Sequence, residues 1–217
     1  MANTAWAFAT LQVTDVTLLN AISEQSLRKI SDLKPQELSN TVWAFARLAL
    51  LHTPFMTSIS EAAMARLCEY EFQNIANTAW AFSKLGCDNA PFLDAIAAAA
   101  LPRIAEANSQ GISNLAWSFA ACKFDNDPLL NALSAAALKI ILQFEHQSLA
   151  NTLWAYATRS FQNEPLFDAL SAAAIRKIDD LEQQDISNSA WSLATIVYRN
   201  KPLMHSLASS ALNTMRE

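Results

Sequence analysis

The chain is 217 residues long and carries a formal net charge of −5. An acidic total argues against a general electrostatic hold on nucleic acid or on an anionic membrane surface. The apolar fraction of 52% excludes a disordered chain, and no apolar run approaches the ~18 residues of a membrane-spanning helix.

The opening residues, ANTAWAF, return as SNTVWAF, ANTAWAF, SNLAWSF, ANTLWAY and SNSAWSL. Trp6, Trp43, Trp80, Trp117, Trp154 and Trp191 are all the tryptophans of the chain and stand 37 residues apart. Asn3, Asn40, Asn77, Asn114, Asn151 and Asn188 lie three residues before each of them. A fixed period in this range marks a repeat array. Residues 1–217 are therefore read as one array of six copies, the first and last incomplete, with no Gly- or Pro-rich linker to divide it. Met1 runs straight into the middle of a repeat, so a fragment is expected, with any targeting segment upstream.

The copy beginning at Gln36 sets the pattern. QELSNTVWAFARLAL holds no Gly or Pro and places Leu38, Val42, Phe45, Ala46 and Ala49 on one side at helical spacing, which predicts an amphipathic helix, A. Each complete A helix opens on Gln36, Gln73, Gln110, Gln147 or Gln184. Small residues at Ser39, Ala44 and Ala46 and their equivalents allow close approach of helix axes. A polar break follows, with Asn89, Asn126, Asn163 and Asn200 in register, and then Pro54, Pro91, Pro128, Pro165 and Pro202. Proline suits the first turn of a helix, where its missing N–H is not needed, so a second helix, B, starts there. Phe55, Met56, Ile59, Ala63, Met64 and Leu67 form its core-facing stripe, as do Leu129, Leu130, Leu133, Ala137, Leu138 and Ile141 two copies on. Pro102 stands where the other copies have Arg28, Ala65, Lys139 and Arg176, which predicts a kink or early end. Cys68, Cys87 and Cys122 are odd in number and lack metal-ligand spacing. They read as reduced residues in or near the core and point to a reducing compartment.

The expected fold is all-α: an α-solenoid, or superhelix, of tandem 37-residue antiparallel helix pairs, each burying its stripe against its neighbours. The elements QSLANTLWAYAT (residues 147–158) and EPLFDALSAAA (residues 164–174) resemble the octotricopeptide repeats of organellar proteins. They are also similar to the helical repeats that precede the RAP domain in FAST-kinase-like proteins. The resemblance covers essentially the whole chain. It implies binding of single-stranded RNA, an organellar transcript, in mitochondria or chloroplasts, with a role in RNA processing, stability or translation. The period of 37 is one short of the family's nominal length, and no RAP-like terminal domain is present.

A helical-repeat RNA reader needs a side chain that varies between copies at a fixed place. The residue after the recurring Gln does so, as Glu37, Asn74, Gly111, Ser148 and Asp185. On a helix wheel it faces away from the core stripe, which makes these five the candidate base-reading residues. The same position equally suits an exposed first-turn residue favoured by the helix dipole. The mid-helix Asn is read first as a ladder of amides bonded to the next repeat's backbone, with direct RNA contact second. The Trp is read as packed core in preference to a base-stacking platform.

Arg47, Lys84, Lys123, Arg159 and Arg199, at or after the end of helix A, are the candidate phosphate contacts. A second basic set closes helix B: Arg28, Lys29, Arg66, Arg103, Lys139, Arg176 and Lys177. Its simpler reading is cations at helix C-termini, neutralised by acids such as Asp32, Glu69 and Glu106. His52, His146 and His205 fall at unrelated repeat positions without a partner for catalysis, and no phosphate loop or metal motif accompanies them. The expectation is therefore a non-enzyme without cofactor that binds about five or six nucleotides, one per repeat. The alternative is a protein–protein interaction scaffold.

Overall fold

The computed structural model describes residues 1–87 and 89–214. It is all-helical among those residues, and the contacts divide it into two compact units, Met1–Glu106 and Ala107–Glu217. The first holds α1 (Ala2–Thr10), α2 (Val16–Arg28), α3 (Pro35–Arg47), α4 (Thr53–Arg66), α5 (Phe72–Lys84) and α6 (Ala90–Ala100). The second holds α7 (Ser109–Ala121), α8 (Asp127–Ile140), α9 (His146–Thr158), α10 (Glu164–Arg176), α11 (Gln183–Thr195) and α12 (Lys201–Thr214). Odd-numbered helices are the A helices and even-numbered ones the B helices, so the alternation read from the period is the architecture of each unit.

Within a unit each A helix packs along the next, α1 on α3 and α3 on α5, or α7 on α9 and α9 on α11. Contacts between successive B helices are sparser. The asymmetry follows from side-chain size. Ser39, Ala44 and Ala46 are fully buried, as are Ala76 and Ala81 in α5 and Ala150, Ala155 and Ala157 in α9, so A axes approach closely. Larger rings fill the space between A and B: Phe45 meets Phe55 at a ring distance of 5.0 Å, and Phe82 meets Phe92 at 4.6 Å. Tyr156, fully buried, donates its hydroxyl to the Leu130 carbonyl at 2.6 Å.

Two recurring devices hold the repeat in register. Asn89, Asn126, Asn163 and Asn200 accept the N–H of Phe92, Leu129, Leu166 and Leu203 at 3.0–3.1 Å, capping each B helix. Asp15 and the Nδ1 of His52 take the same place in the earlier copies, accepting from Leu18 at 3.0 Å and Phe55 at 3.2 Å. His52 therefore has a repeat position after all, that of a helix cap. At the other end, every A helix closes on a left-handed residue: Gln12, Ala49, Gly86, Lys123, Ser160 and Val197, with φ between 50° and 66°. The N–H of the following residue returns to the carbonyl five positions back, as from Leu50 to Phe45 and from Tyr198 to Leu193, both at 2.9 Å.

Several expectations need correction. Ala49 is exposed because it lies in this turn and not on the helical stripe. Met64 and Leu138 are exposed, since the sparse contact between B helices leaves that flank uncovered. Cys68 is exposed rather than near the core, although none of the three cysteines forms a disulfide among the described residues. Pro102 acts as expected: α6 ends at Ala100 after 11 residues and gives way to a 3₁₀ turn over Leu101–Glu106.

Candidate nucleic-acid interface

The buried side of each A helix leaves one narrow stripe facing outward. Gln, Asn, Trp and the residue four beyond Trp are spaced i, i+4, i+7 and i+11, which at 3.6 residues per turn confines them to about 60° of the helix circumference. The stripe reads Gln36, Asn40, Trp43, Arg47 in α3 and Gln73, Asn77, Trp80, Lys84 in α5. In the second unit it reads Gln110, Asn114, Trp117, Ala121, then Gln147, Asn151, Trp154, Thr158, then Gln184, Asn188, Trp191, Thr195. No carboxylate falls on it in any copy, despite the acidic total.

The tryptophans are not core residues. Trp43, Trp80, Trp117 and Trp154 are half-buried, and Trp6 and Trp191 are each 47% exposed. They stand over one another along each unit's A wall. Trp43 and Trp80 have ring centroids 6.4 Å apart, Trp117 and Trp154 6.0 Å, and Trp154 and Trp191 6.4 Å, with interplanar angles of 30–32°. Close A-helix packing, permitted by the small residues behind, brings the rings within pairing distance of each other. The expectation of a packed-core tryptophan is corrected, because the neighbouring copies leave one side of each ring open.

The asparagines also differ from expectation. Gln73 donates its amide to Asn77 Oδ1 at 2.8 Å, and Gln184 donates to Asn188 Oδ1 at 3.1 Å, within one helix and one turn apart. In α5 and α11 the amides therefore bond along the stripe rather than to the next repeat's backbone. The Asn Nδ2 donors and the Gln Oε1 acceptors are left at the half-exposed surface, one turn from the ring.

The variable position lies elsewhere. Glu37 and Asn74 are half-buried, while Gly111, Ser148 (8% exposed) and Asp185 (4%) are buried, so the expectation that this position faces away from the core is corrected. Its side chains fold back on their own helix start or across to the preceding A helix. Glu37 accepts the Lys34 N–H at 2.9 Å, Asn74 that of Glu71 at 3.3 Å and Asp185 that of Glu182 at 3.2 Å. Asn74 also reaches Ser39 Oγ at 3.4 Å, Ser148 reaches Ser113 Oγ at 3.4 Å, and Asp185 meets His146 Nδ1 at 2.6 Å. A wheel drawn for one helix cannot show that its flank is covered by the preceding copy.

The cations divide. Arg47 and Lys84 share one register on the stripe and are exposed. Lys123 is exposed in the left-handed turn and Arg199 is exposed beyond the α11 turn, while Arg159 forms an ion pair with Asp125. In the second basic set, Arg66 donates to the Leu33 carbonyl at 2.9 Å and clamps Glu69 through Nη2 at 2.7 Å. That bond holds the Glu69 carboxyl below its ordinary range and raises the guanidinium. Arg103 donates to the Cys68 carbonyl at 2.6 Å, and Lys177 reaches Glu145 at 3.0 Å. These B-helix cations tie one repeat to the preceding turn. Among the described residues, no group of three His, Cys, Asp or Glu side chains is placed to hold a metal ion, and no helix is long and apolar enough to cross a membrane.

No curated protein matches the chain. Over residues 63–201, well over half its length, it matches the family described as RNA-editing substrate-binding complex 6 protein. The chain belongs to the RNA-editing substrate-binding complex 6 protein family, an RNA-associated family of helical proteins.

Proposed function

We propose that the chain binds single-stranded RNA, without catalysis and without a cofactor, on the outward stripe of its A helices. The observation that carries this reading is the carboxylate-free ladder of half-exposed tryptophans with amide side chains one turn away, repeated in every copy. Aromatic rings stack on bases of any identity, and single-strand binders use them so. A base interleaved between two rings needs a separation of about 6.8 Å, twice the 3.4 Å step of stacked bases. The ring centroids stand 6.0–6.4 Å apart with their planes tilted by 30–32°, so neighbouring rings must part and turn parallel to admit a base between them. A strand following this ladder is unstacked, which excludes a duplex.

Base contact is assigned to the recurring stripe, and the set Glu37, Asn74, Gly111, Ser148 and Asp185 to the frame behind it, because their polar atoms are engaged in caps and interhelix bonds. Arg47, Lys84, Lys123 and Arg199 are the phosphate contacts. The family's description names a complex, which supports protein partners on the remaining faces. The resemblance to octotricopeptide repeats supports action in a mitochondrion or chloroplast. A protein scaffold alone would draw on the acidic total, but the stripe itself carries no acid.

The test is retention of a random pool of short single-stranded RNAs beside a duplex pool of the same length. Retention of the single strands alone supports the reading, and equal retention of both, or of neither, contradicts it.

A further inference from the structure

Resting on the RNA reading above, we infer that each unit's A wall selects a run of one repeated base rather than a mixed sequence. A code that reads a different base at each step needs a different side chain at each step. Along the outward stripe the chemistry does not change: Gln, Asn and Trp are identical in all five complete A helices, from Gln36, Asn40 and Trp43 to Gln184, Asn188 and Trp191. The position that does change sits behind the stripe, and the polar atoms of Glu37, Asn74, Ser148 and Asp185 already have partners there. The orientation of the amides is also uniform where the pair is formed. In α5 and α11 the Gln Nε2 donates to the Asn Oδ1, which leaves an Asn donor and a Gln acceptor side by side. Such a pair recognises a base edge by two bonds. The same two amide residues stand beside the same ring at every complete rung, and the orientation seen in α5 and α11, adopted by the others, asks for the same base at every rung.

The experiment measures affinity of the full chain for labelled oligo(A), oligo(C) and oligo(U), and for mixed sequences of equal length, at one salt concentration. One homopolymer is expected to bind at least about tenfold tighter than the mixed sequences, which is about 1.4 kcal/mol. Changing all five stripe asparagines, Asn40, Asn77, Asn114, Asn151 and Asn188, to alanine is expected to reduce that preference to within twofold while RNA is still bound through the rings. Mixed sequences binding as tightly as the best homopolymer would overturn the inference and leave the RNA reading standing. A preference that persists when all five asparagines are replaced would overturn the assignment to the amides. Failure of every RNA to bind would overturn the inference together with the RNA reading beneath it.

Discussion

Removing the middle rung of the second unit's ladder separates a structural tryptophan from a binding one. Trp154 pairs with Trp117 at 6.0 Å and with Trp191 at 6.4 Å. Ring pairs of this kind contribute about 0.5–1.5 kcal/mol each beyond burial, so Trp154→Ala is expected to lower stability by about 1–3 kcal/mol. For a chain of this size that is a fall in Tm of roughly 2–12 °C. If the rings also stack on bases, the same substitution removes about 1–3 kcal/mol of binding, a loss of roughly 5- to 150-fold in affinity. Fluorescence anisotropy with a labelled single-stranded RNA reads the second effect and thermal denaturation the first. Trp154→Phe, which keeps a ring, is expected to recover most of both. Affinity within twofold of the native chain alongside a clear loss of Tm would show the ladder to be packing alone, and would refute the assignment of the stripe to RNA.

Three further outcomes follow from the same structure. Val197 is a β-branched residue held at φ 55° in the turn after α11, a conformation that costs an L-residue about 1–2 kcal/mol and glycine nothing. Val197→Gly is therefore expected to raise Tm by roughly 2–8 °C; an unchanged or lower Tm would contradict the strain. The phosphate contacts should be separable by salt: Lys84→Ala is expected to reduce the slope of log affinity against log salt by about 0.7. Arg159→Ala, whose cation is already paired with Asp125, should leave it unchanged, and the reverse pattern would displace the cation assignment. Burial pushes Tyr70 from its ordinary 10.0 up to about 12 and raises Tyr156 above the same value. Each folded-state value exceeds the unfolded one, so the contribution is complete below about pH 10 and lost as pH rises toward the folded values. An alkaline titration should show tyrosinate absorbance from these two rings appearing together with unfolding, and ionisation near pH 10 in the intact fold would be incompatible with their burial.

The period was plain in the sequence because tryptophan and asparagine mark it without exception, and the helix pairs followed from it through proline at the start of five of the six B helices. The asparagine two residues before proline was legible only as a recurring polar break, and its bond to the B-helix N–H came from the structure. The cap was not legible at Asp15 and His52, where a different residue type performs the same bond. The left-handed turn after each A helix is announced by glycine only at Gly86, so five of its six copies gave no compositional sign. The site was harder to read for a geometric reason. Whether Trp43 is core or surface, and whether Asp185 is free or buried against His146, depends on how closely the neighbouring A helix lies. That distance is set by small residues on the far side of the helix and is not encoded in the helix's own wheel.

All six tryptophans of the chain lie on the outward stripe, so selectively excited tryptophan emission reports on that stripe. Titration with single-stranded RNA, followed by tryptophan emission, is the most direct test that the ladder is the RNA-binding face. Saturable quenching at the RNA concentration that governs binding is the expected result. RNA retained by the chain with no change in tryptophan emission would place the binding face elsewhere and contradict the account.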